Sequence, residues 1–113
     1  MASTCDALVL GAGPAGSAAA WALARARLDV VLVDQHAFPR DKVCGDALIP
    51  DALGAIDAMG LRSRVDAEAA HLHELRVYAP NGTFVSLAGD FCCMPRARFD
   101  AVLVDAARDA VRS

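Results

Sequence analysis

Residues 7–16 read ALVLGAGPAG: four apolar residues, Ala7 to Leu10, run into Gly11, Ala12, Gly13, Pro14, Ala15 and Gly16. The glycines fall as Gly-x-Gly-x-x-Gly, a spacing that recurs by chance and gains weight only from its surroundings. Upstream, Thr4 to Leu10 is almost continuously apolar, the pattern of a strand buried on both faces of a parallel sheet. Downstream, Ala15 to Arg27 is rich in alanine, carries Trp21 and Leu23 for packing, and ends in Arg25 and Arg27, where cations complement a helix dipole. Asp29 then opens the β-branched apolar run Val30 to Val33, which stops at Asp34. Strand, turn, helix and strand close in about thirty residues, and such crossovers are right-handed, which predicts a βαβ unit with two parallel strands.

This order of parts turns a weak motif into a specific one, the site for the ADP half of a dinucleotide. Gly11 permits the tight turn, Gly13 lets the backbone approach a pyrophosphate, and Gly16 lets the helix pack closely on the sheet. Pro14 preorganises the first helical turn at no hydrogen-bond cost. The amides around Ala15 and the helix dipole favour a phosphate there. Asp34, eighteen residues after Gly16, is placed to accept hydrogen bonds from the adenosine ribose, and its carboxylate would repel a 2′-phosphate. Gln35 beside it joins the candidate site. The expected ligand is the ADP half of a dinucleotide.

The rest of the chain reads as one further helix, a hairpin and a last helix. His36 to Pro50 is a loop, and Pro50 starts a helix through Ala58 with Leu53, Ile56 and Met59 on one face and Gly60 as its stop. Glu74 to Ala79 and Thr83 to Leu87 are β-prone runs around Asn81-Gly82, a strong hairpin signal. Arg98 to Arg112 sets Phe99, Val102, Leu103, Ala106 and Ala110 on one helical stripe. The predicted fold is therefore α/β, the N-terminal part of a Rossmann-like FAD/NAD(P)-binding domain spanning residues 1–113, with no substrate domain.

Composition excludes several other classes. At 113 residues, 56% apolar and 22% charged, the chain has the profile of a folded domain. Its net charge of −3 is spread along the chain without a basic stripe, so nucleic acid is not an expected partner. The uncharged stretch Ala7 to Ala24 is broken by glycines and Pro14 where a membrane span must continue, and Asp6 spoils a signal peptide. Cytoplasm is the default location. Cys5, Cys44, Cys92 and Cys93 have no CxxC spacing, and His71 and His73 match no zinc pattern, so no metal site is expected.

Three stretches resemble the glutathione-reductase-type FAD-binding flavoproteins, in the branch that holds geranylgeranyl reductases and aromatic-ring hydroxylases such as para-hydroxybenzoate hydroxylase. They are GAGPAGSAAA with Asp34, the segment FPRDKVCGDAL from Phe38 to Leu48, and the helix start Arg96, Ala97, Arg98, Phe99, Asp100 to Leu103. The resemblance implies that Arg40 and Arg96 reach the cofactor, that Cys44 and Gly45 lie towards the isoalloxazine, and that Cys44 is the one candidate for a catalytic side chain. It implies hydride transfer from flavin to isoprenoid double bonds, with flavin hydroxylation or halogenation as the neighbouring chemistry. Members of this family are longer, so the reading is of a truncated or split product whose isoprenoid or other small-molecule substrate site belongs to a missing domain. Turnover by these 113 residues alone is not expected, and a non-catalytic module that self-associates or takes a complementing chain is the alternative.

Overall fold

The computed structural model describes residues 4–112. In chain order its elements are β1 (Ala7–Leu10), α1 (Pro14–Arg25), β2 (Val30–Val33), β3 (Ala47–Leu48), α2 (Pro50–Ala58), α3 (Arg62–Asp66), β4 (Ala70–Tyr78), β5 (Phe84–Cys93) and α4 (Arg96–Arg112). They form two compact units, one holding the chain up to Val43 together with the stretch from Arg96, the other holding Cys44–Pro95.

In the first unit β1 and β2 pair in parallel, Ala7 opposite Val30 and Leu10 opposite Val33. Helix α1 begins with Pro14 in its first turn, after Gly13 in extended backbone. It stops two residues short of the predicted Arg27, which turns left-handed at φ 65°. The unit's centre is built from small side chains: Ala20 of α1, Val30 of β2 and Ala107 of α4 are buried together, flanked by Ala7, Val9, Trp21, Leu32 and Val111. Alanine on both helices lets their backbones approach closely, so Ala20→Leu would overpack a fully buried site.

The expectation of a strand buried on both faces is corrected. Alternation along β1 and β2 sends Ala7, Val9 and Leu32 towards the helices and Leu8, Leu10, Val31 and Val33 the other way. The outward four are 40–75% exposed, and no described residue of this unit covers them.

The second unit is an antiparallel sheet in the order β3-β5-β4 with α2 and α3. Helix α2 has the predicted limits: Pro50 opens it, Asp51 sits at its positive end, Leu53 and Ile56 are buried, and Gly60 at φ 68° turns the chain out. Both hairpin strands are longer than predicted. Their alternation is interrupted between Leu72 and Glu74, where three residue steps of β5 match two of β4. A bulge of this kind breaks the period-two signal on which the sequence reading rests. The turn follows the Asn-Gly expectation, with Gly82 at φ 87° donating to the Ala79 carbonyl at 2.9 Å. Two elements lie outside the predicted set. Strand β3 is two residues long and is defined by its pairing with Cys92 and Cys93, and α3 is a five-residue turn closed by Arg62 on Asp66 at 2.9 Å.

Candidate nucleotide-binding site

The glycine loop is closed by backbone constraints that only glycine meets at two of its positions. Gly11 has φ 100°, a conformation other residues rarely adopt, and its N–H donates to the Val33 carbonyl at 2.7 Å, tying the end of β1 to the end of β2. A Cβ on Gly16 would lie 1.7 Å from the Gly11 carbonyl oxygen. Helix and turn are therefore in backbone contact, as the motif reading requires. Buried Ser17 adds a bond from its hydroxyl to the Ala12 carbonyl at 2.9 Å. The first helical bond runs from Ser17 N to Gly13 O at 2.9 Å, so the amides of Gly13, Ala15 and Gly16 precede the helical ladder and are available to an anion.

Asp34 does more than wait for a ribose. Its Oδ2 accepts from the Ala12 amide at 2.8 Å and its Oδ1 from the His36 amide at 2.7 Å. These two backbone bonds, Ala12 first, hold the carboxyl below its usual range. Each oxygen keeps a second lone pair for a hydroxyl donor. A carboxyl with a lowered folded pKa contributes stability above its ordinary value and loses it as pH falls through the lowered one. The Ala12–Asp34 clasp is thus expected to hold at neutral pH and open only in acid. Asp34→Ala is expected to weaken ADP binding about tenfold and also to lower the melting temperature, since the Ala12 amide loses its partner. Asp34→Asn, which keeps one acceptor, is expected to lose less of both in paired titrations and thermal melts.

Across the loop stand two arginines. Arg40 stacks on Phe38 with its guanidinium carbon 4.7 Å from the ring centre and donates from Nη1 to Asp100 Oδ2 at 2.7 Å. Its Nη2 lies 3.6 Å from where a Cβ on Gly13 would be, which places the cation at the helix N-terminus. Arg96 donates from Nε to Asp100 Oδ1 at 2.7 Å and from Nη2 to Oδ2 at 3.0 Å. A cleft of about 610 Å³ is lined by Gly11, Gly13, Asp34, Gln35, His36, Arg40, Asp41, Lys42 and Arg96. A second cavity of about 330 Å³ also has Asp34 in its wall, with Ala12, Leu32, Ala37, Phe38, Val104 and Val111 beside it.

The structure thus brings together Gly11, Gly13, Pro14, Ala15, Gly16, Asp34, Gln35, Arg40 and Arg96, all in the first unit. Cys44 and Gly45 are exposed and belong to the second unit. Sequence reasoning missed three contributors. Phe38 was read only within the resembling segment, His36 only as loop, and Asp100 only as part of a helix start. An acid placed directly after Phe99 on the apolar stripe, with arginine four residues before it, is the signal that would have found Asp100.

His71 is exposed, with its Nδ1 3.4 Å from the Sγ of buried Cys92 and its Nε2 3.6 Å from the Asp66 carboxylate. These three side chains offer ligand atoms within 4.8 Å of one another. Arg62 already holds Asp66 at 2.9 Å and Asp90 at 2.8 Å, and burial pushes the Cys92 thiol up. Cys92 is thus held as a protonated thiol, and Asp66 is ion-paired to Arg62.

The FAD binding domain family matches residues 4–111. The chain belongs to that family. Its cofactor is FAD, and its relatives are flavin-dependent oxidoreductases. It is 53% identical to the menaquinone reductase of Mycolicibacterium smegmatis over 72 residues, 64% of this chain and 17% of that protein. With digeranylgeranylglycerophospholipid reductase 2 of Methanopyrus kandleri it shares 35% identity over 106 residues, 93% of this chain and 26% of the other. Its fold superposes on the myxobacterial FAD-dependent halogenase CndH with a TM-score of 0.85 at 24% identity, over 94% of this chain and 27% of that one. The chain thus spans about a quarter or less of the curated relatives it matches here. Among the described residues no helix is long and apolar enough to cross a membrane.

Proposed function

We propose that this chain holds the ADP half of FAD for an oxidoreductase that reduces carbon–carbon double bonds in a polyprenyl chain. The single observation that carries the cofactor part is the convergence on one loop of the Gly16–Gly11 backbone contact, the Asp34 carboxylate and the Arg40 cation at Gly13. The residues fit the cofactor: the glycine positions leave backbone amides open where a side chain would stand, and the nearby cations suit a pyrophosphate. Gly13, Ala15 and Gly16 would bind the pyrophosphate through N–H groups, Arg40 and Arg96 through charge, and Asp34 the adenosine ribose. Flavin, when bound, supplies the hydride chemistry.

Support for the substrate class comes from the relatives. The matched archaeal reductase takes a digeranylgeranyl lipid by name, and a menaquinone, named for the mycobacterial one, is a quinone that carries a polyprenyl chain. The test is incubation of the chain, joined to the remaining length of the matched archaeal reductase, with FAD, dithionite and a geranylgeranyl lipid, followed by mass spectrometry. Gain of a hydrogen pair per double bond supports the reading. Hydroxylated or halogenated product in the presence of oxygen would move the chain to the neighbouring chemistry.

A second reading is an ADP-binding module that becomes active only when another polypeptide completes it. The outward apolar face of Leu8, Leu10, Val31 and Val33 favours it. Bound FAD without turnover would support that reading over the first.

A further inference from the structure

We propose that Asp100 is a positioning residue that fixes Arg40 and Arg96 beside the glycine loop, so that the pyrophosphate meets cations already in place. The inference rests on the FAD reading of the cleft and assigns a role to a buried acid that this reading does not use.

Asp100 is fully buried, yet no apolar packing explains a carboxylate there. Both of its oxygens are engaged: Oδ1 by Arg96 Nε at 2.7 Å, Oδ2 by Arg40 Nη1 at 2.7 Å and by Arg96 Nη2 at 3.0 Å. Arg40 comes from the loop after β2 and Arg96 from the first turn of α4, sixty and four residues away. One carboxylate therefore joins two cations that would otherwise repel each other. Arg40 is held at two points, by Asp100 on Nη1 and by the Phe38 ring beneath it, and its Nη2 stands beside Gly13, 3.6 Å from where a Cβ would be. Arginine's planar fork suits this arrangement, because Arg40 can engage Asp100 through Nη1 while Nη2 faces the glycine loop.

A positioning role and a simple charge effect have opposite consequences. The cluster of two arginines and one aspartate has a net charge of +1, and removing the acid raises it to +2. If only charge mattered, Asp100→Asn would bind a pyrophosphate more tightly. If Asp100 acts by ordering the arginines, the variant binds more weakly, because two long side chains must then be immobilised on binding.

The experiment titrates wild-type chain, Asp100→Asn and Arg40→Lys with FAD, ADP and adenosine, with circular dichroism to check the fold. Asp100→Asn is expected to lose affinity for FAD and ADP roughly 10–100-fold. Adenosine, which has no phosphate, is expected to bind as before. Equal losses for adenosine would make Asp100 a structural residue and overturn the proposal, as would unchanged or tighter FAD binding. Should Asp100→Asn fail to fold, Arg40→Lys decides: it keeps the charge and loses the fork, so affinity equal to wild type overturns the proposal and a loss confined to FAD and ADP upholds it. Wild-type chain that binds none of the three would overturn the FAD reading itself, a result separate from any difference between variants.

Discussion

Gly16→Ala is expected to unfold the βαβ unit. The added methyl would stand 1.7 Å from the Gly11 carbonyl oxygen and 2.9 Å from its carbon, and both atoms belong to backbone that is already committed. Gly11 cannot give way, because its N–H is bonded to Val33 O at 2.7 Å and its φ of 100° defines the turn. Helix α1 is held from the other side, because Ala20 on the same helix is fully buried against Val30 and Ala107. A single methyl then costs on the order of 4 kcal/mol or more, in the class of severe overpacking at a special backbone site. Total stabilities of domains are only about 5–15 kcal/mol, so the loss is comparable to the whole. Urea unfolding read by circular dichroism checks this. A midpoint equal to wild type would show that helix and turn are not in the contact described.

Gly13→Asp is expected to do the reverse, abolishing FAD binding while the fold survives. A Cβ there meets only Arg40 Nη2 at 3.6 Å, an ordinary contact, and Gly13 has φ −66°, which any residue adopts. The new carboxylate would sit at the N-cap of α1, a favoured place for aspartate, and within reach of the Arg40 cation. Stability is therefore expected to be unchanged or raised. The same carboxylate occupies the place of the pyrophosphate and repels it, a penalty of several kcal/mol, or roughly 100-fold and more in affinity. Melting temperature and FAD titration on one preparation separate the two effects. A variant that still binds FAD like wild type would sink the phosphate assignment at this loop.

These two glycines show what was legible. Their roles follow from spacing because each acts through local backbone geometry, and local geometry is what a motif encodes. Asp34 was legible as an acid at the end of the second strand. Its clasp on Ala12 was not, because that contact joins residues twenty-two apart in sequence. The same reason hides Asp100. Its burial depends on Arg40, sixty residues away, and without that partner a polar residue on α4 reads as surface. In the second unit, α2 was legible because Pro50 and Gly60 punctuate it. Strand limits were not, because the register slip near Leu72 and Glu74 interrupts alternation, and the two-residue β3 has no pattern of its own to read. The apolar strands β1 and β2 were read as doubly covered because their composition is that of a central parallel sheet, whereas the described residues cover one side.

The central claim is that the glycine loop and Asp34 hold the ADP half of FAD. The most direct measurement is a ¹H–¹⁵N spectrum of the isotope-labelled chain during titration with FAD and, separately, with ADP. Both ligands are expected to produce the same saturable shifts in the amides of Ala12, Gly13, Ala15 and Gly16, together with the Nε–H signals of Arg40 and Arg96. A spectrum in which those amides stay fixed while FAD binds elsewhere, or in which ADP moves none of them, would contradict the account.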